Sequence, residues 1–184
     1  MQLLNAIITI ILLGLSCQVL PVALGINSKK GLITFWHAFI LIFSQLLFLY
    51  VGFLLGNRFL YLVEQYKNII IFIGFFLIGM RMIFDVFRIR KGERTYYLDH
   101  TATLILASVA QGINTLLAGL ILTYLTADLR QMLIVLFIAT LVITTIGIVL
   151  KAEKQSFAIS ALLSFVSAAF MLFSSIYLGF FSGL

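Results

Sequence analysis

The chain has 184 residues, of which 63% are hydrophobic and only 10% are charged, and its mean hydropathy is +1.21. A soluble domain is roughly 45–50% apolar and about 25% charged, and a chain this short has too little interior to bury so many apolar side chains, so a soluble globular protein is excluded. The net charge of +6 reflects a shortage of acids rather than a basic stripe, so no nucleic-acid partner is expected.

Six apolar stretches are each long enough to cross a bilayer as a helix, which takes roughly 20 residues. In chain order they are Leu3–Leu24, Gly31–Leu55, Asn68–Phe87, Thr101–Leu125, Met132–Leu150 and Phe157–Phe180. The polar connections between them are Gly25–Lys30, Gly56–Lys67, Arg88–His100, Thr126–Gln131 and Lys151–Ser156. The stretches lack the even alternation of membrane β-strands. The sequence therefore predicts an all-α membrane protein that forms a single integral membrane domain over residues 1–184.

The distribution of Lys and Arg among the connections predicts the orientation of the spans. The first, third and fifth connections contain eight of these residues, and the other two contain three. Positive residues concentrate on the cytoplasmic side, so we expect both termini on the outer side. The first stretch is longer than the apolar region of a signal peptide and has no basic residue before it. We expect it to be retained as a helix.

Three spans followed by three more give two halves of opposite orientation, which is the inverted-repeat plan of many secondary transporters. Aligning residues 14–18 with residues 110–114 places small residues on small residues and Gln18 on Asn114. We therefore predict six transmembrane helices arranged as two inverted three-helix repeats, about 1–90 and about 100–184.

Four amide side chains lie deep inside the predicted spans, where polar groups are costly and tend to mark function. They are Gln18, Gln45, Gln111 and Asn114. Pro21 has no N–H, so the carbonyl of Cys17 loses its usual helical partner. Gln111 and Asn114 are three residues apart and share one helix face. The pattern predicts a substrate-binding cluster between the repeats. The alternative is that the amides only join helices by hydrogen bonds.

Arg81 and Asp85 form a charged pair at i,i+4 near the cytoplasmic end of the third span, where they can neutralise each other. The pair is either structural or a gate that links helix three to a neighbour. We expect no metal site, because neutral amides supply no charge. We expect no cofactor and no enzymatic activity, since the sequence contains no catalytic triad pattern, phosphate loop, HExxH or CxxC motif.

Two further features leave alternatives open. The basic run at residues 88–94 favours contact with anionic lipid headgroups, and docking of a partner protein is the alternative. Gly52 and Gly56 have GxxxG spacing, which serves either internal packing or dimerisation.

Three short motifs resemble those of a known family. The segment Gly79-Met-Arg-Met-Ile-Phe-Asp-Val-Phe87 looks like a Gly-x-Arg-Met-Ile-x-acid-x-Phe segment at the end of helix three. Gly14-Leu-Ser-Cys-Gln18 looks like Gly-x-Ser-x-Asp in helix one, and Ile113–Gly119 looks like its equivalent in helix four. On these motifs the chain resembles the bacterial manganese efflux pumps, the MntP-like family of the LysE-type exporter group. The resemblance implies a multi-pass protein of the bacterial inner membrane.

The resemblance also identifies three departures. The family carries aspartates in helices one and four and a glutamate in helix two, which are implicated in moving Mn²⁺, and the matching residues here are Gln18, Asn114 and Gln45. Losing charges beside a dehydrated divalent ion should cost several kcal/mol. One hypothesis is a non-transporting relative that acts as a membrane-embedded subunit of another membrane protein complex. The alternative is a secondary exporter of a cation (Mn²⁺ or another) or of a small solute through an amide-lined site.

Overall fold

The structure is a computed structural model that describes residues 2–26, 31–90, 101–125, 128–150 and 154–181. These residues form helices and no strands. The α-helices are α1 (Gln2–Ser16), α2 (Leu20–Leu24), α3 (Gly31–Val63), α4 (Lys67–Arg90), α5 (Thr101–Leu122), α6 (Leu129–Leu150) and α7 (Lys154–Ile176). Short 3-10 turns cover Glu64–Tyr66 and Thr123–Leu125, and a π-helical turn covers Tyr177–Phe181. Six segments are long and apolar enough to cross a membrane, which confirms the predicted fold class.

The first span is broken into two helices. Helix α1 ends at Ser16 and α2 begins at Leu20, so residues 17–19 between them are not helical. Pro21 lies in the first turn of α2, where its missing N–H leaves no helical acceptor unpaired. The predicted single helix Leu3–Leu24 was wrong in this respect, because the proline starts a new helix.

Helix α3 is longer than predicted. It has 33 residues, which is roughly 50 Å at a rise of about 1.5 Å per residue and exceeds the hydrocarbon thickness of about 30 Å. The predicted connection Gly56–Lys67 is mostly helical, and only the turn Glu64–Tyr66 separates α3 from α4. The polar residues Asn57 and Arg58 did not end the helix because neither removes a backbone hydrogen bond.

The connection Gly25–Lys30 has the predicted bounds, because α2 ends at Leu24 and α3 begins at Gly31, whereas the three remaining connections are shorter than predicted. Helix α4 extends into Arg88–His100, α6 begins within Thr126–Gln131, and α7 begins within Lys151–Ser156. Residues 27–30, 91–100, 126–127 and 151–153 of these connections lie outside the described residues.

The closest helix packing joins α3 to α5 and α4 to α7, and α6 packs against α1 and α2. Glycines permit the α3–α5 approach. A Cβ atom at Gly52 would collide with the backbone carbonyl of Leu116, and one at Gly119 would lie 2.6 Å from the carbonyl oxygen of Leu49. Gly56 likewise faces Leu120 and Thr123. The GxxxG pair therefore serves internal packing.

The packing partners keep the same pattern when spans one, two and three are exchanged with spans four, five and six. The contact between spans two and four corresponds to the contact between spans five and one. The contact between spans three and four corresponds to the contact between spans six and one. This pattern supports the inverted-repeat interpretation, which stays a prediction. One difference between the halves is local: the first span is broken at residues 17–19, whereas α5 continues through its amide residues.

Candidate functional site

All four predicted amides are buried. The exposed fraction is 5% for Gln18, 0% for Gln45, 1% for Gln111 and 0% for Asn114. Gln18 lies in the break between α1 and α2, Gln45 lies on α3, and the other two lie on α5. Helix α5 packs against α1, α2 and α3, so it is the common neighbour of the elements that carry these residues.

Both polar atoms of the Gln45 side chain form hydrogen bonds between helices. Its Nε2 donates to the carbonyl oxygen of Ser108 at 3.3 Å, and its Oε1 accepts a hydrogen bond from Oγ1 of Thr115 at 2.7 Å. Ser108 and Thr115 are two turns apart on one face of α5. Gln45 therefore ties α3 to α5, and this arrangement favours a structural role for its side chain.

The other three amides, unlike Gln45, have no hydrogen-bond partner among the described residues. Both polar side-chain atoms of Gln18, Gln111 and Asn114 are buried without a hydrogen-bond partner in the part of the chain that the structure describes. Buried polar groups in folded proteins are nearly always paired, and each unpaired one costs about 1–3 kcal/mol. A polar ligand that enters this region could satisfy these amide oxygens and N–H groups.

Some buried hydroxyl groups in the described residues form hydrogen bonds, and others do not. Oγ of Ser16 donates to the carbonyl oxygen of Leu13, and Oγ1 of Thr140 donates to that of Leu136, so both are used within their own helices. By contrast, no partner within the described ranges pairs with the buried hydroxyls of Ser108, Thr144 and Ser160.

Sequence reasoning missed Ser108 and Ser160. Ser108 precedes Gln111 by three residues, so the helical spacing that joined Gln111 to Asn114 could have found it. Ser160 carried no comparable signal, because α7 contains many serines.

The predicted charged pair lies beside the α5 amides. Nη2 of Arg81 donates to the carbonyl oxygen of Ala110 at 2.6 Å, which connects α4 to α5 one residue before Gln111. Asp85 is 2% exposed on the same face of α4. The bond joins α4 to a neighbouring helix, and whether the charged pair acts as a gate or only as a structural pair stays a prediction.

Comparison with protein families matches residues 26–161 to the family described as "Putative manganese efflux pump" (MntP). The chain belongs to this family. The protein is therefore a multi-pass membrane protein of the manganese-efflux type, and its family is one of transporters rather than enzymes. Comparisons with curated proteins and with solved structures gave no match.

The match to the MntP family covers part of the amide cluster. Gln45, Gln111 and Asn114 lie within residues 26–161, as do both members of the charged pair, whereas Gln18 precedes the matched range. The assignment to the family therefore does not depend on the broken first span.

The predicted donor set of this MntP protein is neutral. Among the residues that the structure describes, no three His, Cys, Asp or Glu side chains come together in a group that could hold a metal ion. The predicted substrate-binding residues Gln18, Gln111 and Asn114 have neutral amide oxygens to offer to a cation, and that role stays a prediction. Oxygen donors suit hard cations, but donors without negative charge hold a divalent ion weakly.

Proposed function

We propose that this protein is a secondary exporter of the manganese-efflux type that binds its cargo through Gln18, Gln111 and Asn114. The observation that carries the proposal is the set of unpaired, buried amide atoms on these three side chains. A subunit that served only as a packing scaffold would be more stable with apolar residues there, because each unpaired polar group costs about 1–3 kcal/mol. Gln45, with both ends bonded, is the example of a structural amide in the same bundle.

The break in the first span supports the same proposal. Discontinuous helices in transporters supply unwound backbone groups to the cargo near the middle of the membrane. Residues 17–19 are the unwound segment of span one, and the side chain of Gln18 extends from its centre. The carbonyl oxygen of Val19 already accepts a hydrogen bond from the backbone N–H of Ala23, so this proposal assigns the cargo contact to the Gln18 side chain and to the carbonyls of residues 17 and 18.

The chemistry of the donor set limits the cargo. Neutral oxygens suit a monovalent cation, a small polar solute or a divalent ion bound weakly, and Mn²⁺ is the cargo that the family name implies. We infer lower Mn²⁺ affinity than a site with carboxylates would have. In this proposal the protein lies in the bacterial inner membrane with both termini on the periplasmic side. It exports its cargo from the cytoplasm.

The competing function is a non-transporting subunit of a larger membrane complex. It is favoured by one specific observation: amides occupy the three positions at which the family resemblance expects acids. This hypothesis expects a stoichiometric membrane partner in a gentle-detergent purification and no solute flux by the purified chain.

Flux measurements on the full chain in liposomes test the proposal. Mn²⁺, K⁺ and Na⁺ fluxes would be measured for the wild type, for Gln18→Ala and for Asn114→Ala. We expect flux of at least one of these cations by the wild type and a loss of about tenfold or more in each variant. The matched control is Gln131→Ala, which removes an exposed amide on α6 and should leave flux unchanged.

Two outcomes would contradict the proposal. If the double variant Gln18→Ala with Asn114→Ala transports as well as the wild type, the amides do not bind the cargo. If the wild type moves none of the three cations and purifies with a stoichiometric membrane partner, the subunit hypothesis is the better one.

A further inference from the structure

Helix α2 lies in the interior of one end of the bundle. At this end, named the basic end, α2, α4 and α6 finish and α3, α5 and α7 begin, so it holds the three connections that are richest in Lys and Arg. Helix α2 packs against α5, α6 and α7. Its residues, Leu20–Leu24, are all apolar and buried. Helix α2 therefore fills the space between three longer helices at the basic end.

The position of α2 depends on packing rather than on continuity with α1. It has five residues, which is little more than one turn, and the non-helical residues 17–19 separate it from α1. It fits closely against α6, because a Cβ atom at Gly147 would lie 2.5 Å from Cβ of Ala23. Since residues 17–19 are not helical, α2 can pivot there without unwinding α1.

The three helices around α2 each carry a buried hydroxyl that has no hydrogen-bond partner among the described residues. They are Ser108 on α5, Thr144 on α6 and Ser160 on α7, and each is at most 1% exposed. Ser108 lies one turn closer to the basic end than Gln111 does. Thr144 is three residues from Gly147 and lies on the same side of α6. Serine and threonine within helices commonly bond to a carbonyl of the preceding turn, so three unpaired hydroxyls around one short helix require an explanation.

Hydroxyls farther from the basic end are already paired. Thr140, one turn before Thr144, donates to the carbonyl oxygen of Leu136 at 2.8 Å. Ser175, near the other end of α7, and Thr123, just after α5, also donate to carbonyls of their own turns, at 2.7 and 2.6 Å. On each of these helices the unpaired hydroxyl is therefore the one closer to the basic end.

We propose that α2 is the gate at the basic end of the transport path, and that Ser108, Thr144 and Ser160 line this path when α2 moves away. The proposal rests on the proposed function, because the path leads to the amides of that site. In the structure, the apolar side chains of α2 close the path. When α2 pivots at residues 17–19, a hydrated cation or another polar solute enters, and water or the cargo pairs with the three hydroxyls. Gln18 lies within the pivot, so opening the gate also moves one of the cargo-binding side chains.

Cysteine labelling tests the gate without measuring transport. Cys17 is the single cysteine in the sequence, so a Cys17→Ala parent carries one new thiol at a time. The path thiols are Ser108→Cys, Thr144→Cys and Ser160→Cys, and the control is Ser175→Cys, which lies near the opposite end of α7. A positively charged, membrane-impermeant methanethiosulfonate would be added to either face of sealed vesicles. We expect the path thiols to react from the face of the basic end and the control thiol not to react from that face.

Displacement of α2 should open the path further. Gly147→Ala adds a methyl group that meets Cβ of Ala23, so α2 must move away from α6. We expect the path thiols to react about fivefold faster or more, which corresponds to about 1 kcal/mol and is the lower end of the usual cost of overpacking. The matched control is Gly14→Ala, whose methyl group would lie 3.8 Å from Cβ of Ala139 on the same helix α6. This control should leave the labelling rates unchanged.

Two exposed positions identify the faces of the vesicle. Gln155, near the start of α7, marks the face of the basic end, and Gln65, between α3 and α4, marks the opposite face. Gln155→Cys and Gln65→Cys should therefore react from opposite sides. Circular dichroism would verify that each variant keeps its helices. If Gly147→Ala lost them, the contrast between the path thiols and Ser175→Cys in the parent would still decide the proposal.

Three results would overturn the proposal. Path thiols that do not react from the face marked by Gln155→Cys would mean that no path opens at the basic end. Path thiols that react only from the face marked by Gln65→Cys would place the opening at the other end. Equal labelling rates in Gly147→Ala and Gly14→Ala would mean that α2 is not the gate. Labelling as expected in a protein that moves no cation would support the gate and contradict only the proposed cargo.

Discussion

Arg81 and Ala110 connect the third and fourth spans through a hydrogen bond from Nη2 to the carbonyl oxygen at 2.6 Å. The same carbonyl begins the helical turn that leads to Asn114 four residues later, and Gln111 lies within that turn. The guanidinium group therefore holds the segment of α5 that presents two of the three unpaired amides.

Replacement of this arginine should weaken both the fold and transport. A hydrogen bond to a charged group contributes about 1.5–3 kcal/mol, so Arg81→Met should lower the free energy of unfolding in mixed micelles by about that amount. Flux should fall because α5 is no longer held at Ala110. Arg81→Lys, which keeps the charge, should restore part of both properties.

The matched control for this prediction is Arg58→Met, which removes an exposed arginine from α3. A surface substitution of this kind should change stability by less than about 0.5 kcal/mol. If Arg81→Met behaved like Arg58→Met in both measurements, the link to α5 would have no function.

Substitution of the amides by leucine should separate binding residues from structural ones. Gln45→Leu leaves the buried hydroxyl of Thr115 without its acceptor, so it should cost about 1–3 kcal/mol of unfolding free energy. Gln18→Leu and Asn114→Leu remove polar atoms that already have no partner among the described residues. These two variants should retain or gain stability while losing flux.

Unfolding in mixed micelles and flux in liposomes, measured on the same preparations, would check this contrast. An equal loss of stability in Gln18→Leu and Gln45→Leu would show that the two amides have the same structural role. The cargo site would then have to lie elsewhere.

The fold class was predictable from the sequence because hydropathy alone determines which segments enter lipid. The break at residues 17–19 and the full length of α3 were not predicted. In the first case, a proline moved the end of one helix and the start of another. In the second, Asn57 and Arg58 are polar but remain compatible with helical hydrogen bonding. Hydropathy reports the environment of a segment and says little about where its backbone hydrogen bonds end.

The candidate site was only partly predictable. Burial of the four amides follows from their positions in apolar spans. The sequence does not show which of these amides already form hydrogen bonds, because the partners of Gln45 lie 63 and 70 residues away along the chain. That information depends on how α3 and α5 meet, and their contact is set by Gly52 and Gly119.

The glycine contacts predict a contrast between two alanine substitutions. Gly52→Ala places a methyl group against the backbone carbonyl of Leu116, which cannot rotate away, so α3 and α5 must separate. Overpacking of this kind typically costs about 1–3 kcal/mol. Gly14→Ala brings its methyl group only to 3.8 Å from Cβ of Ala139 and should leave stability unchanged. Thermal unfolding in detergent would compare the two, and equal melting temperatures would contradict the α3–α5 contact.

Cysteine labelling should establish the orientation of the spans. Gln65 lies in the turn between α3 and α4, Gln155 lies near the start of α7, and both are exposed. In a Cys17→Ala background, Gln65→Cys should react with a membrane-impermeant maleimide in intact cells, and Gln155→Cys should react only after permeabilisation. The reverse pattern would place the basic connections outside and would contradict the predicted position of both termini.

Restoring charge should convert the neutral site into one that prefers divalent ions. Gln18→Asp combined with Asn114→Asp supplies two carboxylates at the positions where the family resemblance expects them, and carboxylates are the donors that hard divalent cations prefer. We expect the double variant to bind Mn²⁺ at least tenfold more tightly than the wild type. Without metal, burial and mutual repulsion of the two carboxylates should lower its melting temperature, and Mn²⁺ should raise it again. Gln131→Asp adds an exposed carboxylate and should show neither effect. If the melting temperature of the double variant did not respond to Mn²⁺, a shared cation site at Gln18 and Asn114 would be excluded, because two carboxylates that face one site should bind a divalent ion.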